Sequence, residues 1–94
     1  MISSTSNAKV KNIINLKKSA RARKKENCFL VEGPRMFFEI PKDRIAECYL
    51  TEEFADKYAE ELKGWRYELM SENVCRHLSD TKTPQGVIAV VRRE

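Results

Sequence analysis

The run "VIAVV" at residues 87–91 constrains this chain more than any other stretch. Successive side chains of a β-strand point to opposite faces of its sheet. Five consecutive apolar residues therefore demand cover on both faces. That places the strand at the centre of a sheet, with further layers above and below it. The chain has 94 residues, the length of one domain. A chain this size buries roughly two-thirds of the surface its unfolded form exposes. That is enough for a core, but not for a deep catalytic cavity together with a cofactor cleft.

Three other strands suit such a sheet. "CFLVE" (28–32) is a short apolar run stopped by Gly33 and Pro34. "IAECYL" (45–50) reads as a second strand. "WRYEL" (65–69) alternates apolar with charged residues, the pattern of a half-exposed edge strand. The segments between them read as helices. Ser6 or Asn7 can cap a first helix with Val10, Ile13 and Ile14 on one face. Pro34 suits the first turn of a short helix, "RMFFEI", which Pro41 stops. Thr51 caps a helix expected over 52–63. Phe54, Tyr58 and Leu62 line its apolar face, and Glu52 and Glu53 sit at the positive end of its dipole. Ser71 caps another through Leu78. The architecture is thus α/β, three layers in the sense α/β/α, with a four-stranded sheet. Strands alternating with helices point to parallel pairing, although the short helix 72–78 weakens that for the last strand.

Charge is distributed unevenly. Residues 1–25 contain eight Lys/Arg and no Asp/Glu, whereas residues 26–94 contain ten and fourteen. The block "KKSARARKK" (17–25) holds six of those cations, with only Ala20 and Ala22 as apolar members. It reads as a short helix or ordered loop with a cationic surface. A basic arm on a mildly acidic body fits a polyanion partner, and equally a solvated tail. The cysteines Cys28, Cys48 and Cys75 are odd in number, and no two form a CxxC pair. A zinc or redox site is therefore disfavoured, and a reducing, cytoplasmic setting is expected. No apolar run approaches the roughly 18 residues of a membrane span, and the N-terminus shows no secretory signal.

Two loops carry groups suited to nucleic acid. After the first strand, "EGPR" offers a glycine turn, the N–H groups of a helix start, and Arg35, a set that suits phosphate. The same residues also make an ordinary β–α turn, and physics alone favours that reading. Walker and GxGxxG spacings are missing. "TKTPQG" offers Lys82, two threonine hydroxyls and Gln85, groups that can bond phosphate, sugar or base edges, or simply form a turn. His77 has no nucleophile or orienting acid near it in sequence, and Cys75 with His77 is half a metal site without its other half. Tyr49, Trp65 and Tyr67 could stack on bases, but at strand spacing they read first as core or sheet cover. No constellation supports catalysis.

Together, "NAKVKNIINL", the basic block, "FLVEGPR" and "LSDTKTPQGVIAVV" resemble the N-terminal substrate-binding domain of SpoU/TrmH-type RNA ribose 2′-O-methyltransferases. The similarity runs along essentially the whole chain. "FLVEG" followed by a basic residue, and "PQG" before an apolar strand, are its most specific pieces. The resemblance implies the α/β fold shared with ribosomal and kink-turn-binding RNA proteins. That fold has a mixed sheet in the order 1-4-2-3, its last strand central and antiparallel, which overrides all-parallel pairing. It implies three parts: residues 1–25 as a basic helical segment packed on the domain, 26–91 as the α/β RNA-binding domain, and 92–94 as the start of a linker. A knotted catalytic domain that binds S-adenosylmethionine and mediates homodimerisation is expected beyond the linker, so this chain alone has no catalytic, cofactor or metal residues. The implied RNA contacts are Lys17, Lys18, Arg21, Arg23, Lys24, Lys25, Gly33 and Arg35, with Lys82 and Gln85 as weaker candidates. The helix after "EGPR" departs from the family pattern, being cut short by Pro41. Two alternatives stand beside this reading: a stand-alone kink-turn-type RNA-binding protein, and a protein-interaction module whose basic arm docks an acidic partner.

Overall fold

The structure is a computed structural model that describes residues 1–93. Helix α1 (Ala8–Lys18) and helix α2 (Ala20–Glu26) precede strand β1 (Cys28–Glu32). Helix α3 (Pro34–Glu39) and a 3-10 turn (Lys42–Arg44) lead to β2 (Ile45–Leu50). Helix α4 (Glu52–Lys57), β3 (Glu68–Leu69), α5 (Glu72–Leu78) and β4 (Val87–Arg92) complete the chain. Each N-cap reflects its residue type. Asn7, Ser19, Thr51 and Ser71 accept backbone N–H bonds from the first turns of α1, α2, α4 and α5.

The sheet has the order β1-β4-β2-β3. β4 runs antiparallel to both β1 and β2, while β2 and β3 are parallel. The mixed sheet and its central last strand therefore stand, and the pairing expected from simple alternation does not. The reason lies in α5, whose seven residues return the chain to the end of the sheet where β1 and β2 finish. β4 then enters pointing the other way.

Two cores flank the sheet. On one face Ile88 and Val90 of β4 meet Val10, Ile13 and Leu16 of α1 and Val74, Cys75 and Leu78 of α5. On the other, Val87, Ala89 and Val91 meet Phe37 of α3, Phe54 of α4 and Leu62. All five residues of "VIAVV" are buried, as a strand covered on both sides requires. β2 needs a bulge to serve the same cores. Ile45 and Cys48 lie three apart yet pack on one face, because the register slips between Ile45 and Glu47.

Two expected elements are shorter in the structure. α4 ends at Lys57 rather than 63. Tyr58 turns out of the helix with its ring 4.6 Å from Phe54 and 5.2 Å from Phe38. The turns that follow return Leu62 to the core. A continued helix would set Glu60 and Glu61 at its negative end, where carboxylates destabilise it. The edge strand shrinks to Glu68–Leu69 because Trp65 turns inward, 4.7 Å from Phe37 and 5.8 Å from Phe38. A contact the sequence did not announce covers this edge. Ile2 is buried and bridges Met70 in parallel, through bonds of 2.8 Å to Leu69 O and from Ser71 N.

Candidate nucleic-acid interface

Ser19 closes α1 and opens α2, its Oγ accepting from Ala22 N at 3.0 Å. This one-residue elbow folds α2 back along the β1 edge. Arg23 fastens it: Nη1 donates to the carbonyls of Leu16 (2.6 Å) and Lys17 (2.8 Å), two acceptors that the last turn of α1 leaves unpaired. Lys17 reaches across to α5, where it donates to Leu78 O and pairs with Asp80 at 2.8 Å. Two of the six cations of the basic block thus hold the elbow to the body.

The other four behave differently. Lys18, Arg21, Lys24 and Lys25 are exposed and form no ion pair among the described residues. Neither α2 nor the last turn of α1 carries a carboxylate against them except Glu26. Lys24 and Lys25 also lie in the last turn of α2, where cations complement the dipole. The left-handed Asn27 (φ 53°, ψ 49°) ends that helix and delivers the chain into β1.

At the other end of β1 the two loops singled out in the sequence come together. Gly33 has φ 91° and ψ 146°, a conformation open essentially to glycine alone. A side chain placed there would meet Gln85 Oε1 at 3.2 Å, so the glycine turn and the PQG loop are in contact. Arg35 and Lys82 are exposed, with no ion pair or side-chain hydrogen bond among the described residues. Glu32, which the sequence did not mark, anchors the loop. Its carboxylate accepts from Ser79 Oγ at 2.6 Å and from Asp80 N at 3.2 Å. A cleft of roughly 270 Å³ joins the two regions, walled by Lys17, Arg23, Glu32 and Asp80 over Leu30 and Ile88.

The remaining candidates take structural places. Tyr49 is buried, its hydroxyl bonded to the Glu47 carboxylate, and burial followed by that contact pushes its ionisation upward. Trp65 is packed as described, and His77 is exposed. All three thiols are buried and free, and burial pushes Cys48 up to about 12. Among the described residues no group of three metal-capable side chains occurs. Among the described residues no helix is long and apolar enough to cross a membrane. What the arrangement can do chemically is present fixed positive charge beside backbone-lined turns.

Comparison with known proteins agrees with this geometry. An RNA 2′-O ribose methyltransferase of known structure matches 97% of the chain at a TM-score of 0.74 and 26% identity. The SpoU methyltransferase AviRb from Streptomyces viridochromogenes, solved with AdoMet, matches 94% at 0.72 and 22%. An rRNA methyltransferase from Sinorhizobium meliloti matches 99% at 0.72 and 19%. The last two likenesses speak for the fold alone. The chain spans 36% of the length of each of these proteins. No curated protein sequence matches it. The family described as "MRM3-like substrate binding domain" matches residues 7–89, from the cap of α1 to the middle of β4. The chain belongs to that family, the MRM3-like substrate-binding domains.

Proposed function

We propose that this domain holds the RNA substrate, ribosomal or transfer RNA, of an S-adenosylmethionine-dependent ribose 2′-O-methyltransferase and is itself non-catalytic. The observation that carries the reading is the unneutralised face of α2. Arg21, Lys24 and Lys25 of α2, with Lys18 at the end of α1, are exposed, with no ion pair among the described residues, beside an elbow that Arg23 and Lys17 lock to the body. Positive charge on a rigid element suits phosphate better than charge on a mobile tail, because less side-chain and backbone entropy is lost on binding. Gly33, Arg35, Lys82 and Gln85 extend the surface at the far end of β1, where backbone and amide groups can reach sugar or base edges.

The cofactor belongs elsewhere in this reading. In the cleft beside β1, Lys17 Nζ, Arg23 Nη1 and the Glu32 carboxylate are already engaged within the chain. S-adenosylmethionine and the homodimer contacts are assigned to a following domain, reached through residues 92–94 and operating in the cytoplasm. Residues 1–25 serve as the basic segment and 26–91 as the α/β body.

Fluorescence anisotropy with a labelled single-stranded or stem–loop RNA, across a salt series, tests the proposal. The logarithm of affinity should fall linearly with the logarithm of salt, by about 0.7 per single-strand phosphate contacted. Changing Lys18, Arg21, Lys24 and Lys25 to Gln should make that slope shallower by up to about 2.8. A wild-type affinity indifferent to salt would overturn the reading.

A further inference from the structure

The register of β4 gathers basic residues from distant parts of the sequence. Arg92 lies opposite Cys28 of β1, and its neighbour Val91 lies opposite Ile45 of β2. Cys28 closely follows the last lysines of α2, and Ile45 follows the 3-10 turn Lys42–Arg44. Three short basic segments therefore meet at one end of the sheet. Arg66 joins them across a groove of roughly 350 Å³ that it shares with Lys42 and Trp65.

The arginines here are fixed by neutral carbonyls, not by carboxylates. Arg44 donates Nε (3.1 Å) and Nη2 (2.9 Å) to Arg92 O, and Arg92 donates in return to Asp43 O. Arg93 lies over the Phe29 ring at 5.9 Å and donates to Cys28 O, while its backbone N–H bonds Asn27 O at 2.9 Å. Lys42 sits over Trp65 at 5.7 Å. Glu26, Asp43 and Glu47 are the carboxylates in these segments. Glu47 accepts from Tyr49 Oη, and none of the three forms an ion pair among the described residues. A guanidinium oriented by a carbonyl keeps its full charge and its remaining N–H groups, the arrangement suited to a phosphate oxygen.

We infer that Lys42, Arg44, Arg66, Arg92 and Arg93 form a second phosphate-binding site for RNA, continuous through Asn27 with Lys24 and Lys25; this rests on the RNA-binding reading above. α2 then acts as a cationic rib along β1, joining the Gly33–Gln85 end of the sheet to the Arg93 end. RNA is favoured over a protein partner because Arg66 is followed by exposed Tyr67, an aromatic face on which bases stack.

The same anisotropy assay decides it. The double variant Lys42→Gln, Arg66→Gln removes two exposed cations that make no side-chain hydrogen bond or ion pair among the described residues, so of the contacts that hold the fold only that of Lys42 with the Trp65 ring changes. Its salt slope should be shallower than wild type by about 1.4. The triple variant Arg44→Lys, Arg92→Lys, Arg93→Lys, which keeps the charge, should hold the wild-type slope. Wild-type slope and affinity in the double variant, with substitution of Lys18, Arg21, Lys24 and Lys25 still weakening binding, would overturn this site alone and leave the end of the sheet to a neighbouring protein domain. Loss of RNA binding by wild type itself would instead overturn the reading under "Proposed function", and this one with it.

Discussion

Single residues carry the geometry on which the surface depends, and Gly86 is the clearest. It has φ 87°, and a side chain there would lie 2.7 Å from Thr51 Oγ1 and 3.0 Å from Phe54 Cβ. Thr51 Oγ1 is the buried cap of α4, accepting from Phe54 N at 3.2 Å. Gly86→Ala should therefore destabilise the domain by roughly 2–4 kcal/mol, the sum of a strained φ and a displaced cap. A urea titration followed by circular dichroism measures it; a loss below about 0.5 kcal/mol would mean that the loop yields freely. The glycine of "PQG" was marked in the sequence as a turn. That it presses against a buried threonine thirty-five positions earlier has no local signature.

At the scale of elements, the α1–α2 elbow is the decisive feature. Its existence was half legible. Val10 and Ile13 mark the docked face of α1, and Ser19 is a residue that caps helices. The division of labour within the basic block was not. Arg23 and Arg21 are chemically identical and two residues apart, yet one caps α1 and the other is exposed. Helical spacing sets which side of α2 each occupies, but only the angle of the elbow brings the C-terminal carbonyls of α1 within reach of Arg23. Arg23→Gln should cost about 1.5–3 kcal/mol, the range of a charge-assisted hydrogen bond. It should also increase hydrogen exchange in residues 17–26 before the rest of the domain. Protection in α2 equal to wild type would show that Lys17 and Ser19 suffice.

For the molecule as a whole, the two cores and the polarity of the sheet set stability, and the thiols report it. Burial raises the ionisation of Cys28, Cys48 and Cys75, with Cys48 reaching about 12. An acid whose folded form is the harder to deprotonate contributes stability that is present in full below its unfolded pKa of about 9. That contribution declines as pH rises toward the folded value. The thermal midpoint should therefore be insensitive to these groups at neutral pH and fall between about pH 9 and 12. Cys48→Ala should flatten that fall while lowering the midpoint at pH 7. An unchanged alkaline slope would assign the fall to other groups. Thiol reagents at pH 8 should label native protein slowly and unfolded protein fast, since the thiolate is the reactive form.

The order of chain elements, and which strand lies at the centre, belonged to the sequence alone. Burial on both faces is a property of consecutive residues, and "VIAVV" states it without reference to partners. The same holds for the caps at Thr51 and Ser71, and for the cationic block itself, whereas the choice of Asn7 over Ser6 at the first cap came from the structure. Tertiary structure decided what depends on reach and register. It ended α4 at Lys57 so that Tyr58 and Leu62 could pack, and it turned Trp65 inward. It reversed β4, split six cations into two fastened and four exposed, and brought Lys42, Arg44, Arg92 and Arg93 to one end of the sheet. Periodicity records which face a side chain takes within its own element. It holds no record of which distant element will lie against that face, because pairing register is chosen by the summed packing of both cores.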